Sequence, residues 1–119
     1  DMPNSSSSIF DKAELLDRLE QDESFAYDLV QVFLQYAPVT LSELGTAMEA
    51  GDLEKTAHFA HELKGMAANI SADRVANTAA KIDTVADDNQ STGVEELFER
   101  LETDFAALRK VLRTAFSAE

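Results

Sequence analysis

The 119 residues contain no cysteine, which excludes disulfides and thiolate metal sites and is compatible with a reducing compartment. No uninterrupted apolar run approaches the roughly 20 residues of a membrane span. Positive charge is scarce as well: 10 Lys and Arg stand against 23 Asp and Glu, a formal net charge of -13. Nucleic acid and anionic membrane repel such a surface and are not expected as partners, and most of the charge reads as a solubilising coat on exposed helix faces. No strand signal, internal repeat or glycine-rich nucleotide-binding loop is present, which argues against an independent kinase. What is present is enough for one core: the length suits a single domain, and a hydrophobic content of 45% is too high for a disordered chain.

The apolar residues recur at helical spacing throughout. Asp11 with Glu14 forms a capping box, and Phe10 with Leu15 is spaced as a hydrophobic staple, so a short helix is expected from there to about Glu20. A second helix starts after Asp22; Phe25, Leu29, Phe33, Ala37, Leu41, Leu44 and Met48 keep one phase across Pro38, which predicts a single long helix bent at the proline. Gly51 ends it, and Asp52 caps a third helix running to about Asn69. Ser71 is expected to cap the fourth, with Val75, Ala79, Ile82 and Ala86 inward. After a loop over 87–93, Thr92 and Glu95 form another capping box before a last helix with the stripe Val94, Leu97, Leu101, Phe105, Leu108 and Leu112. The expected fold is all-α: an antiparallel up-down-up-down four-helix bundle over 9–119 with the short N-terminal helix across one end. Residues 1–8, with the polar run Ser5 to Ser8, read as a flexible linker joining the domain to a larger protein.

One side chain does not belong to this scheme of core and coat. In the third helix Leu53, Ala57, Ala60, Leu63, Ala67 and Ile70 form the buried stripe, and at about 100° per residue His61 lies roughly 130° from its centre, so the imidazole points outward. Its neighbours on the helix surface are Ala57, Lys64, Gly65 and Ala68, and three of these four are tiny. Glycine inside a helix is unfavourable by roughly 1 kcal/mol relative to alanine, so Gly65 calls for a return such as close approach of a partner's backbone. A nucleophile, a flexible cation and a bare patch together suit a phosphoryl group handed between proteins. His58 lies nearer the pole opposite the core and reads as surface that adds to the docking face, while Met66 borders it.

The run Ala60-His61-Glu62-Leu63-Lys64-Gly65-Met66-Ala67-Ala68-Asn69-Ile70-Ser71-Ala72 resembles the signature of the histidine-containing phosphotransfer (HPt) domains of bacterial phosphorelays. The likeness extends to Phe10 through Leu19, to Phe33-Leu34 through Pro38 and to the turn Ala50-Gly51-Asp52, with Ser71 standing where that family usually has glycine. The resemblance implies a phosphohistidine carrier with His61 as phosphoacceptor and Lys64 balancing the phosphate's charge. Ala57, His58, Gly65, Met66 and Ala68 would form the docking surface for receiver domains of response regulators or hybrid kinases. Asp83 falls where family members carry a glutamate or glutamine near the histidine, and its useful role would be to accept a bond from the other ring nitrogen or from a bridging water.

The resemblance further implies a monomer without a cofactor of its own, Mg²⁺ being expected on the receiver. It places the domain in the cytoplasm, either as the soluble C-terminal part of an inner-membrane hybrid sensor kinase, toward which the serine run tilts, or as a free-standing carrier. Two other readings stand beside it. One is a helical adaptor whose histidine is never phosphorylated; the other is a metal-binding bundle built on His58, His61 and Glu62, for which no second helix offers an evident ligand pair.

Overall fold

The computed structural model describes residues 8–90 and 92–116, and all regular structure among them is helical. The five helices are α1 (Lys12–Arg18), α2 (Glu23–Glu49), α3 (Leu53–Asn69), α4 (Asp73–Asp87) and α5 (Val94–Ala115). The expected linker lies outside the described residues except for Ser8, whose carbonyl accepts from the Arg74 amide at 2.9 Å. α3 packs on α2 and α4, and α5 closes against α4 and α2, so the four long helices form a ring around one core.

Three helix starts obey a local rule. Asp11, Asp22 and Asp52 each place a carboxylate oxygen 3.0 Å from the backbone amide three residues on, at Glu14, Phe25 and Lys55, satisfying a donor that has no partner inside the helix. α2 runs unbroken through Pro38. Its buried positions are Ala26, Val30, Phe33, Ala37, Thr40, Leu44 and Ala47, so the inward face is turned from the expected one: Leu29, Leu41 and Met48 lie on its flanks and Phe25 is exposed. At Gly45 the helix comes so close to α5 that an added Cβ would lie 3.1 Å from the Phe98 ring.

Two expected caps are absent, for a shared reason. Ser71 is not the cap of α4 but the left-handed residue that ends α3 (φ 61°), with the Ala72 amide reaching back to the Ala67 carbonyl at 2.9 Å. This is the conformation glycine adopts without strain, which accounts for glycine at the corresponding position of the resembling family. Ala72 then precedes α4 with no side-chain cap. Likewise α5 starts after Gly93, at φ 86°, and Thr92 makes no capping bond to it. Both turns are one residue displaced from the positions a polar cap would need.

The α3–α4 turn is held from outside. Arg18 donates from Nη2 to the Ser71 hydroxyl at 2.7 Å and to the Asn69 carbonyl at 3.2 Å, at the end of α3 where a cation is favoured, and the Asp11 amide bonds the Ser71 carbonyl at 3.0 Å. Arg18→Ala is expected to destabilise the domain by about 1 kcal/mol, read as a lower urea midpoint at unchanged slope. Beside this turn, burial and then the charges of Glu14 and Asp11 push the Asp73 carboxyl above its ordinary value of 3.8, against the pull of Arg18. The folded chain therefore holds this proton to higher pH than the unfolded chain does. The group favours folding at low pH and loses that contribution as pH rises through its folded value. Asp73→Asn is expected to gain stability relative to the parent from acid toward neutral pH, with no gain below the carboxylate range, in urea titrations at stepped pH.

Candidate functional site

α3 presents two different faces. Thr56, Ala60, Leu63, Ala67 and Ile70 are buried, with Thr56 taking the inward place expected of Ala57. Ala57 is half-buried on the flank, which frees it to border the histidine. His61 keeps 67% of its side chain exposed, and its Nδ1 lies 3.2 Å from Oδ2 of Asp83 on α4. That carboxylate is largely covered by its surroundings, so one edge of the ring is anchored and the other faces outward. Of the two chemically distinct nitrogens, Nε2 is the one left open.

The ground beside the ring is clear. A Cβ added to Gly65 would find nothing within 4 Å, and Gly65 and Ala68 are both exposed. Gly65 is helical with no positive φ, so neither crowding nor backbone conformation requires glycine there. Lys64 and Met66 are half-buried on either side. His58 pairs with Glu62 on its own helix at 3.4 Å and meets Phe59 edge-on at 5.0 Å, away from the Asp83 contact. The two histidines thus have different carboxylate partners. Among the described residues no group of three His, Asp or Glu side chains is placed to hold a metal ion, so the cluster of His58, His61 and Glu62 does not assemble as a ligand set. A cavity of about 750 Å³ opens between the α2–α3 turn and the start of α5, lined by Met48, Leu53, Thr56 and Val94, and His61 is not part of it.

A family model described as Hpt domain matches residues 28–111. The chain belongs to the Hpt family. This Hpt domain is similar to the phosphorelay intermediate protein rdeA of Dictyostelium discoideum, with 24% identity over 103 residues that make up 87% of this chain and 41% of that protein. It therefore spans about two fifths of the curated relative's length. The crystal structure of histidine-containing phosphotransfer protein B (HptB) from Pseudomonas aeruginosa PAO1 matches with a TM-score of 0.84 at 25% identity, over 92% of this chain and 95% of that one. The Hpt fold sets α3 and α4 side by side, which is what brings residues 61 and 83 into contact. No helix among the described residues is long and apolar enough to cross a membrane.

Helical spacing placed His61, Ala57, Lys64, Gly65 and Ala68 on one surface with Met66 and His58 at its border, and the family resemblance placed Asp83 near the ring. Both missed the Arg18 clamp, because neither Ser71 nor the α3 carbonyls are near Arg18 in sequence.

Proposed function

We propose that the chain carries a phosphoryl group on His61, taking it from the phosphoaspartate of one receiver domain and passing it to another. The observation that carries this reading is an exposed imidazole whose Nδ1 is bonded to a carboxylate while the surface one turn along, at Gly65, is open. With the proton on Nδ1 donated to Asp83, the lone pair of Nε2 points outward. It attacks phosphorus, the Nε2–P bond forms as the bond from phosphorus to the aspartyl oxygen breaks, and the receiver's carboxylate leaves. The ring gains positive charge in this step, and Asp83 faces that charge from the edge opposite the phosphate. Lys64 balances the phosphoryl oxygens. Mg²⁺ belongs to the receiver, and this chain contributes position and access rather than autonomous catalysis.

The ring of helices supports an antiparallel up-down-up-down bundle, and the monomer rests on the resemblance alone. Placement in the cytoplasm, as the C-terminal domain of a membrane-anchored hybrid sensor kinase, belongs to the same proposal and rests on the resemblance alone. Receiver domains charged with labelled phosphate are the test: label should pass to this chain, survive base, be lost in acid and map to His61 by mass spectrometry. Label mapping to any other residue, or to none, would sink the assignment.

Asp83 has its own test. Asp83→Ala frees the ring to rotate and to change tautomer, and is expected to slow transfer about 10-fold with the phosphoacceptor unchanged. The stopped-flow or quench-flow rate at saturating receiver should fall, while receiver affinity stays where it was.

A further inference from the structure

A basic groove lies on the side of the bundle turned away from His61. On α4, Arg74, Thr78 and Lys81 recur at helical spacing, and on α5 Arg100 and Asp104 line the other wall of the same cavity, which measures about 550 Å³. On the α4 wheel the centre of this lining is about 180° from Asp83, the residue that meets His61. The groove and the histidine therefore occupy opposite sides of one helix.

The charge of the groove is the reverse of the chain's. Three of the 10 Lys and Arg line it against one carboxylate, in a chain with 23 Asp and Glu. Lys81 and Arg100 are exposed and Arg74 is half-buried. Cations gathered around one cavity repel each other, and an anion between them relieves this. At physiological salt the field of remote charges decays within about 8 Å, so a small anion inside the groove responds to these three cations and not to the net charge of -13. A large polyanion lacks that shelter. The exposed Glu96 lies one turn before Arg100 and the exposed Glu99 beside it, so nucleic acid or an acidic protein surface meets repulsion where a compact anion does not.

The floor narrows the ligand further. Asp104 is only 8% exposed, and its Oδ2 accepts from the buried Thr78 hydroxyl at 2.9 Å. Among the described residues no other group bonds this carboxylate, which can accept several hydrogen bonds and so keeps acceptor capacity on the wall of the cavity. An anion without a donor meets Asp104 as a like charge. A ligand with a phosphoryl group at one end and a hydroxyl at the other satisfies both walls, since arginine and lysine match phosphoryl oxygens and the volume is that of a small-molecule site. We propose that the α4–α5 groove binds a small phosphate monoester carrying a free hydroxyl, its phosphoryl oxygens held by Lys81, Arg100 and Arg74 and its hydroxyl donating to Asp104. The site uses neither His61 nor the surface around it and does not depend on the carrier reading.

The experiment titrates the ¹⁵N-labelled chain, at about 0.15 M salt, with four probes: glycerol phosphate, methyl phosphate, orthophosphate and sulfate. Glycerol phosphate is expected to give saturable amide shifts confined to 74–81 and 100–104, and to bind at least about 10-fold more tightly than methyl phosphate or sulfate, neither of which has a hydroxyl to donate. Lys81→Gln/Arg100→Gln changes exposed positions only and is expected to lose at least about 10-fold in affinity with its spectrum otherwise kept. Asp104→Asn, whose side-chain oxygen can still accept from Thr78, removes a negative charge from the floor. It is expected to bind methyl phosphate more tightly than the parent does and to narrow the preference for glycerol phosphate. Sulfate binding as tightly as glycerol phosphate overturns the proposal, as do shifts that never saturate or that spread equally to Arg109, Lys110 and Arg113. Parent affinity in Lys81→Gln/Arg100→Gln overturns it as well. Orthophosphate binding more tightly than glycerol phosphate would overturn the assignment to an ester and give the groove to the free ion.

Discussion

His61→Gln is expected to accept no label from a phosphorylated receiver, a loss on the order of 10³-fold or more that is limited only by the assay background. The size follows from the chemistry, because the side-chain amide of glutamine has no lone pair comparable to the imidazole's Nε2 and no phosphoramidate can form. The fold should be untouched. His61 is largely exposed, it contributes nothing to the core, and glutamine favours the helix slightly more than histidine does. Its amide can also donate to Asp83 in place of Nδ1. Stability is therefore expected within about 0.5 kcal/mol of the parent, and a thermal or urea melt separates lost chemistry from lost structure. His58→Gln is the matching control. His58 pairs with Glu62 rather than Asp83, and its removal should leave loading intact. If His61→Gln still takes label and His58→Gln does not, the phosphoacceptor lies three residues upstream of its proposed place.

The parts of this molecule legible in sequence are those decided within a few residues. The caps at Asp11, Asp22 and Asp52 each act over three residues, and all three form. The outward turn of His61 follows from the apolar spacing of its own helix, and it too is realised. The failures at Ser71 and Thr92 have a different origin. Each turn is set by a residue with positive φ, Ser71 in one case and Gly93 in the other, and the first is held by Arg18 and Asp11, which are far away in the chain. A polar residue before a helix therefore cannot be assigned as its cap without knowing how the preceding helix ends.

Asp83 is an intermediate case. Nothing in its sequence neighbourhood singles it out from the chain's other carboxylates, and only the count along the family resemblance points to it. The exposed apolar side chains of α2, Phe25, Val32, Tyr36 and Val39, were hidden for another reason. That helix is apolar on two overlapping faces, one from Ala26 to Ala47 and one from Phe25 to Val39, and periodicity does not say which of them a neighbouring helix will cover. Asp104 escaped notice similarly: it lies between Leu101 and Phe105 in the buried register of α5, where its carboxylate accepts from the Thr78 hydroxyl at 2.9 Å. A buried carboxylate with a partner on the adjacent helix leaves no trace in an apolar pattern.

Gly65→Gln is expected to move stability and function in opposite directions, and this makes it the sharpest test of the bare patch. A Cβ at position 65 has nothing within 4 Å, and the backbone there is ordinary helix. Replacing an interior helical glycine should then stabilise the fold by up to roughly 1 kcal/mol. The same side chain projects over the surface one turn from His61, where a receiver must bring its phosphoaspartate within reach of Nε2. Misplacing the reacting groups by about 1 Å lowers transfer on the order of 100-fold, so a fall of about 10- to 100-fold in kcat/KM is expected from a domain that melts higher than its parent. Gly65→Ala separates size from flexibility: it should gain the same stability, and its single methyl should retain most of the transfer. The measurements are paired melts and transfer kinetics on the three proteins. Parent-level transfer by Gly65→Gln would mean that the receiver approaches from elsewhere. An equal loss in Gly65→Ala would mean that the glycine matters for backbone freedom rather than for room.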